Sequence, residues 1–188
     1  MIELIRVAAD LQTFCEARRW RFCFIGGLAL QRWGEPRETV DVDVTLVTGF
    51  GGEEPFIMAL LDRYDGRTPD AAGFARTNRV LLLRAASGVG IDVALGGLPF
   101  EERIVERASP FPFPGDVPLR TCSAEDLVVL KAFAARGRDW VDIEGIIVRQ
   151  AARLDWRYID EQLAPLVALK GEPEILTELA RRRAEFEC

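Results

Sequence analysis

The sequence predicts an α+β fold in which a small mixed β-sheet with flanking helices, over residues 1–120, is followed by an α-helical region over residues 121–188. Three observations lead to this prediction. Short apolar runs before position 120 alternate with polar residues or end in turn residues, as strands do. Apolar residues after position 123 recur at helical spacing. The length of 188 residues fits one compact unit, or one domain with a helical extension.

The elements of the first half follow from local patterns. Ile2, Ile5 and Ala8 begin a helical repeat, and an aromatic run from Trp20 ends at two glycines, as a strand does before a tight turn. The later strands alternate, and Ala-Ser-Gly joins the last two as in a hairpin. Five prolines indicate that residues 96–120 are irregular, as a linker or an edge strand. The predicted helices are 2–19, 28–33 and 53–64, and the predicted strands are 20–25, 40–47, 79–84 and 89–95.

The second half is predicted to form four helices, because apolar residues recur every three or four positions between short breaks. Ser123 suits the position that caps a helix, and Asp126 stands where a capping-box carboxylate is expected. The predicted helices are 123–136, 139–150, 155–169 and 172–187.

Composition excludes several classes of protein. The chain has 49% hydrophobic and 29% charged residues, which is too apolar for a disordered protein. It has neither an apolar run of membrane-spanning length nor a signal peptide, so we expect a cytoplasmic protein without membrane contact. The formal net charge of −6 argues against a broad nucleic-acid surface, and no DNA partner is expected.

The chain contains no histidine. Ser-His-Asp and Cys-His mechanisms and His-ligated metal centres are therefore excluded, and any chemistry must use carboxylates, lysine, hydroxyl groups or hard metal ions. The four cysteines lack CxxC spacing, and we expect them to be reduced thiols of the core. They are Cys15, Cys23, Cys122 and Cys188.

Three aspartates form the strongest candidate site. Asp41 and Asp43 stand two residues apart on a predicted strand, so both carboxylates project from one face, about 6.5–7 Å apart along the chain. Such like charges repel one another and favour a divalent cation bound through oxygen atoms. Asp92, on another alternating strand, would add a third carboxylate if the two strands are neighbours, enough to hold two metal ions. The alternatives are a solvated strand face for the pair and a turn aspartate for Asp92.

Gly26 and Gly27 lie between a predicted strand and a predicted helix. Glycines at this place let backbone N–H groups approach a phosphate at the helix N-terminus, although two glycines also merely permit a tight turn. A glycine turn followed by paired aspartates and a further strand aspartate supplies a phosphate site and a metal site in one sheet, which phosphoryl chemistry requires.

A lysine and two aspartates in the helical half form a second candidate group. Lys131 is the only lysine before Lys170 in a chain that otherwise uses arginine, which favours a specific role. A lysine at the edge of an apolar stripe usually extends to water, however. Asp139 and Asp142 share one helix face, where a solvated acidic first turn is the alternative.

Together these motifs resemble those of the DNA polymerase β-type nucleotidyltransferase superfamily, and within it the AbiEii/AbiGii toxin-like nucleotidyltransferases. The resemblance rests on two segments: GGLAL and RETVDVDV within residues 26–44, and SAEDLVVLKAFAARGRDWVDI over residues 123–143. It implies a nucleotidyltransferase core, and it covers the last forty or so residues only as generic helices.

The resemblance also implies a role for each site residue. Asp41 and Asp43 would ligate Mg²⁺, or Mn²⁺ in its place. Asp92 would ligate the catalytic metal and help to deprotonate an acceptor hydroxyl. The residues implied to contact a nucleoside triphosphate such as ATP, or to shape its site, are Gly26, Gly27, Arg37, Thr39, Lys131 and Asp139.

The function that follows from the resemblance is magnesium-dependent transfer of a nucleoside monophosphate (NMP) from a nucleoside triphosphate (NTP) to a hydroxyl acceptor. The implied acceptor is tRNA, another RNA or a protein, and the implied partner is a cognate antitoxin. Two alternatives stay open. One is a small-molecule adenylyltransferase of the aminoglycoside or lincosamide type, and the other is a catalytically silent nucleotide-binding module.

Overall fold

The computed structural model describes residues 1–186 of the chain. These residues form two compact units. The first unit comprises Met1–Leu28 and Glu38–Cys122, and the second comprises Ala29–Arg37 and the described residues from Ser123 onward. Cys188, expected to be a core thiol, and the last residue of the predicted helix 172–187 lie outside the described residues.

A mixed sheet is the centre of the first unit. Within residues 1–186 it has seven strands in the order β3-β4-β5-β2-β1-β7-β6. β2 pairs with β5 in parallel and β1 with β7 in parallel, whereas the other neighbours are antiparallel. The strands are β1 Phe22–Phe24, β2 Asp41–Val47, β3 Asp65–Gly66, β4 Val80–Arg84, β5 Gly90–Gly96, β6 Ser109–Phe113 and β7 Val117–Thr121.

Helices contribute buried residues to the core on the apolar face of this sheet. Because successive side chains of a strand point to opposite faces, Val42, Val44, Ile91 and Val93 all point into one core. Leu11 of the first helix belongs to the same core. The helices that belong to the first unit are α1 Ile2–Ala17, α3 Glu54–Leu61, α4 Ala71–Asn78 and α5 Pro99–Arg107. Helix α2, Gly26–Trp33, begins in the first unit, and its residues from Ala29 onward belong to the second.

The second unit is helical. Its helices beyond α2 are α6 Ala124–Ala134, α7 Gly137–Gln150, α8 Trp156–Lys170 and α9 Glu174–Phe186, with a 3₁₀ turn at Ala151–Arg153. Leu127 of α6, Ile143 of α7 and Leu163 of α8 are fully buried, as the helical spacing predicts. The predicted α+β class, a mixed sheet with flanking helices followed by a helical half, is confirmed.

The proline-rich segment is more regular than expected. Residues 96–120 contain α5, the edge strand β6 and its partner β7, rather than an irregular linker. Pro99 stands at the start of α5, where a proline removes no helical hydrogen bond, and Glu101 accepts hydrogen bonds from the N–H groups of Gly97 and Leu98. Among the strands of residues 1–186, β6 pairs only with β7, and an edge strand tolerates prolines.

Helix α4 was not predicted from the sequence. Its residues, AAGFARTN, have little apolar periodicity, but Asp70 caps the helix by accepting a hydrogen bond from the N–H of Gly73 at 2.8 Å. Among the described cysteines, Cys15, Cys23 and Cys122 are buried. No helix within residues 1–186 combines the length and apolar character needed to cross a membrane.

Ser123 caps α6 as predicted, and the contribution of this cap to stability can be tested. Ser123 Oγ accepts a hydrogen bond from the N–H of Asp126 at 3.1 Å and donates one to its carboxylate at 2.7 Å. We expect Ser123→Ala to lower the free energy of unfolding by about 1 kcal/mol, because the cap is lost. Urea denaturation measures the change. The control Ser87→Ala, in an exposed turn, should change stability by less than about 0.5 kcal/mol. Equal stability of the Ser123 variant and the wild type would contradict the prediction.

Candidate active site

The three predicted aspartates lie on one face of the sheet. Strands β2 and β5 are parallel neighbours, and their register pairs Asp43 with Asp92 and Asp41 with Gly90. Directly paired residues project to the same side of a sheet, and adjacent strands are about 4.8 Å apart. The alternating apolar residues are buried on the opposite face, whereas the side chains of Asp41 and Asp92 are 38% and 33% exposed. The carboxylates therefore share a partly open polar face.

Arg67 supplies a counter-charge to these carboxylates. Its guanidinium forms an ion pair with Asp92 and lies 3.9 Å from Asp41 Oδ1. Nothing in the sequence motifs identifies this residue, because it follows the two-residue strand β3 and is remote in sequence from both aspartates. The structure thus adds a basic residue to the predicted acidic site.

Gly26 and Gly27 lie so close to neighbouring side chains that no larger residue fits at either position without displacing them. Gly26 has a φ of +53°, and a Cβ atom at this position would overlap the carboxylate of Asp43. The N–H of Gly27 donates a hydrogen bond to Asp43 Oδ2 at 3.4 Å, and a Cβ atom at Gly27 would overlap Thr39. The glycines allow the left-handed turn and leave room for both side chains.

Two further residues shape the same face. Thr39, just before β2, donates a hydrogen bond from its hydroxyl to the carbonyl oxygen of Asp41 at 3.3 Å. A Cβ atom at Gly90 would overlap the carboxylate of Asp41 and lie 3.1 Å from the guanidinium of Arg67. Gly90 therefore leaves the space in which Asp41 and Arg67 approach each other.

The donor set suits a hard cation. The three carboxylates present oxygen atoms, which Mg²⁺ and Mn²⁺ prefer, and the positive guanidinium of Arg67 already occupies their face. In this conformation, no three side chains of His, Cys, Asp or Glu within residues 1–186 lie close enough together to hold one ion. The aspartates thus share a face without converging on one point.

The second candidate group forms a buried ion network in the helical unit. The ammonium of Lys131 lies 2.5 Å from Asp142 and 3.4 Å from Asp139, and these side chains are only 4–6% exposed. Arg37 donates two hydrogen bonds of 2.9 Å to the carboxylate of Asp142. Arg136 pairs with Asp139 at 2.6 Å. Each buried carboxylate therefore contacts two basic side chains.

The alternatives considered for Lys131, Asp139 and Asp142, a solvent-exposed lysine and a solvated acidic turn, do not describe this network. Lys131 does not extend to water, and Asp139 and Asp142 are not a solvated acidic turn, because the lysine and the aspartates are buried against one another. Arg37, expected to shape the entry to the metal strand, is paired with Asp142. Contact between the opposite charges offsets part of the cost of burying them.

The pKa of Asp142 is lower than that of an ordinary aspartate. Burial by itself raises the pKa of Asp142, but hydrogen bonds from Arg37 and Lys131 outweigh it and hold that pKa below the usual value for an aspartate. The charged form of Asp142 is therefore part of the folded state.

Comparisons with known proteins agree with this architecture. A family model described as "Nucleotidyl transferase AbiEii toxin, Type IV TA system" matches residues 14–186. The chain belongs to the AbiEii nucleotidyltransferase family. As a member it is a nucleotidyltransferase, which takes an NTP as substrate in a toxin–antitoxin context. No match was found among curated proteins.

Two solved structures share the fold of this AbiEii-family chain. One is an antigenic nucleotidyltransferase-like protein from Paracoccidioides brasiliensis, with 18% identity and a TM-score of 0.55 over 96% of this chain and 93% of the other. The second is the antibiotic-resistance factor ANT(2'')-Ia, with 16% identity and a TM-score of 0.52 over 92% of each chain. At these identities the likeness concerns the fold alone.

The contact between Gly26 and Asp43 predicts a position-specific loss of stability. Both Gly26, with a φ of +53°, and Gly51, with a φ of +77°, have a left-handed backbone. The added Cβ atom of Gly26→Ala would overlap Asp43, whereas that of Gly51→Ala would lie in open space. We expect Gly26→Ala to lower the free energy of unfolding by about 1–3 kcal/mol more than Gly51→Ala, because of the overlap. Urea denaturation of both variants makes the comparison. Equal losses would show that Asp43 does not lie against Gly26.

The pKa of Asp142 predicts a pH-dependent contribution to stability. Asp142→Asn leaves buried basic groups with one fewer carboxylate and should lower the free energy of unfolding by about 3–5 kcal/mol at pH 7. Because folding lowers the pKa of Asp142, its contribution is present above the unfolded value of about 3.9 and is lost as the pH falls through the folded value. The gap between wild type and variant should therefore shrink below about pH 4.

Chemical denaturation from pH 7 to pH 3 measures this gap. Asp160→Asn, on the exposed side of α8, is the control and should leave stability nearly unchanged at every pH. A gap that stays constant below pH 4 would mean that Asp142 is not held charged by Arg37 and Lys131.

Proposed function

We propose that this nucleotidyltransferase moves an NMP from an NTP, with Mg²⁺ as the metal, to a hydroxyl group of RNA. The observation that carries the proposal is the arrangement of Asp41, Asp43 and Asp92 on one partly exposed sheet face, beside the glycine turn that begins α2. This face combines an acidic donor set with a helix N-terminus, and both suit a metal-bound triphosphate.

The three aspartates are the proposed metal ligands. Their oxygen atoms suit Mg²⁺, or Mn²⁺ in its place, and their mutual repulsion favours a divalent counter-ion. When bound, the metal ion offsets the charge of the triphosphate and lowers the pKa of the acceptor hydroxyl. Asp41 and Asp43 project from the same face of one strand, which places both carboxylates on the side where the metal is proposed to bind.

Asp92 is the proposed proton acceptor. The acceptor oxygen attacks the α-phosphorus of the NTP in line, the new P–O bond forms, and the bond to the β-phosphate oxygen breaks to release pyrophosphate. The proton of the acceptor hydroxyl passes to the carboxylate of Asp92. The partial exposure of Asp92 supports this role, because a base must be reachable by the acceptor.

The triphosphate is proposed to lie against the glycine turn. Gly26 and Gly27 open the N-terminus of α2, which attracts anions through its backbone N–H groups, and Thr39 packs against the same turn. The roles that the resemblance implies for Arg37, Lys131 and Asp139 stay proposals. For Lys131 to contact a phosphate, its bonds to Asp139 and Asp142 would have to open.

The acceptor and the partners are proposed from the family context. Membership of a toxin family of type IV toxin–antitoxin systems supports a cellular acceptor, and the 3′ end of tRNA offers a free hydroxyl. We propose that the reaction takes place in the cytoplasm, with ATP among the NTPs to be tested, and that a cognate antitoxin opposes it.

A labelled-nucleotide assay tests this function. The double variant Asp41→Asn, Asp43→Asn should lose at least about 100-fold in the rate of label transfer from NTP to total RNA in Mg²⁺, because the charge that develops in the transition state is no longer offset. Each of the four labelled NTPs is tested separately. Asp62→Asn, an exposed carboxylate at the end of α3, is the matched control and should keep the wild-type rate.

Two results would change the proposal. Equal rates for wild type and double variant would remove the aspartates from the mechanism. Transfer to an aminoglycoside or lincosamide in preference to RNA would replace RNA by a small-molecule acceptor. Binding of Mg·NTP without transfer to any acceptor would instead indicate a silent nucleotide-binding module.

A further inference from the structure

Arg67 is anchored to the sheet beside the aspartates. Its backbone N–H donates a hydrogen bond of 2.9 Å to the carbonyl oxygen of Leu82 on β4, and Leu82 is the register partner of Asp92 on β5. The side chain is 21% exposed and reaches across to Asp92 and Asp41. The guanidinium thus lies where the proposed function requires a metal ion.

The hydrogen bonding of this segment is incomplete. Within residues 1–186, the Nε atom of Arg67 and the hydroxyl of the adjacent Thr68 are buried and have no hydrogen-bond partner. A buried donor without a partner raises the free energy of the conformation, and such groups in a folded protein call for an explanation. The ion pairs with Asp92 and Asp41 therefore contribute to the position of the guanidinium, and a change in those charges would weaken its hold.

A metal ion and the guanidinium compete for the same oxygen atoms. Asp92 Oδ1 and Asp41 Oδ1 are the atoms that approach Arg67. A divalent cation bound to these oxygens would lie within a few ångströms of the guanidinium, and two positive charges at that distance repel one another strongly in a partly buried site. One of the two must leave.

We propose that Arg67 is the counter-ion of the metal-free site and that a divalent cation displaces it. The proposal rests on the proposed function, which assigns the aspartates to a metal. Arg67 offsets the charges of Asp92 and Asp41 when no metal is bound, and it lowers the affinity of the site for the metal alone. Its departure lets the aspartates, which share a face without converging, close on the ion.

Titration with Mn²⁺ alone tests this proposal. Arg67→Gln should bind Mn²⁺ at least about tenfold more tightly than wild type, because a competing positive charge is removed. Arg67→Lys keeps the charge and should lie between the two. The control Arg76→Gln changes the net charge equally and should bind like wild type, because Arg76 lies on α4 in an exposed ion pair with Glu54 of α3. Calorimetry and the loss of the free Mn²⁺ resonance signal give the affinities.

The same variants give a second readout in thermal unfolding. Without metal, Arg67→Gln should have a lower Tm than wild type, because Asp92 and Asp41 then lose the guanidinium with which they pair. Addition of Mn²⁺ should raise the Tm of Arg67→Gln more than that of wild type. Adding Asp92→Asn to Arg67→Gln should abolish the gain in affinity, which would locate the ion at Asp92.

Several outcomes would overturn the proposal. Unchanged or weaker Mn²⁺ binding by Arg67→Gln would show that Arg67 does not compete with the metal, and so would the absence of binding by both proteins. Wild type and Arg67→Gln are also titrated with Mn²⁺ and a non-hydrolysable NTP. If both bind equally and the Asp41→Asn, Asp43→Asn variant does not, the proposed function stands and only the role of Arg67 is lost. If that variant binds as wild type does, the aspartates are not the metal site and the proposed function fails as well.

Discussion

The parallel pairing of β2 with β5 is the constraint on which the candidate site depends. Its register sets Asp43 beside Asp92 and leaves Gly90 opposite Asp41. A shift of one residue would turn Asp92 into the apolar core and expose Ile91 or Val93 in its place. The buried valines and isoleucine of the other face therefore maintain the acidic face, although they take no part in the chemistry. Stability and site geometry depend here on the same alternation.

The two acidic groups of the chain are neutralised in different ways. Asp142 and Asp139 are buried among basic side chains, so removal of a partner would leave a charge away from water. The hydrogen bonds from Arg37 and Lys131 also keep the pKa of Asp142 low. Asp41 and Asp92 are partly exposed and share one guanidinium. Because solvent reaches Asp41 and Asp92, exchanging their counter-ion costs less free energy than it would in a buried site. The exposed pair is therefore better suited to reversible ligand binding than the buried Asp139 and Asp142.

Most helices and strands could be predicted from the sequence. The two segments that were predicted wrongly, α4 and residues 96–120, each have a specific physical reason. Helices and strands with clear periodicity were found, including the cap at Ser123. Helix α4 was missed because its stabilising feature is the cap at Asp70 rather than an apolar stripe. Residues 96–120 were expected to be irregular because prolines usually interrupt secondary structure. The prolines here instead stand at the start of α5, on the edge strand β6 and its partner β7, and in the turn between these two strands.

The sequence by itself determined the α+β class and the pairing of Asp41 with Asp43 on one strand, because periodicity within a strand or helix is a property of neighbouring residues. The motif resemblance pointed to the family for the same reason, since its residues are close together in the chain. Only the tertiary structure decided that Asp92 stands beside Asp43, that Arg67 pairs with Asp92 and Asp41, and that Lys131 is buried with Asp139 and Asp142. These contacts depend on strand register and helix packing, which bring together residues that no local pattern connects.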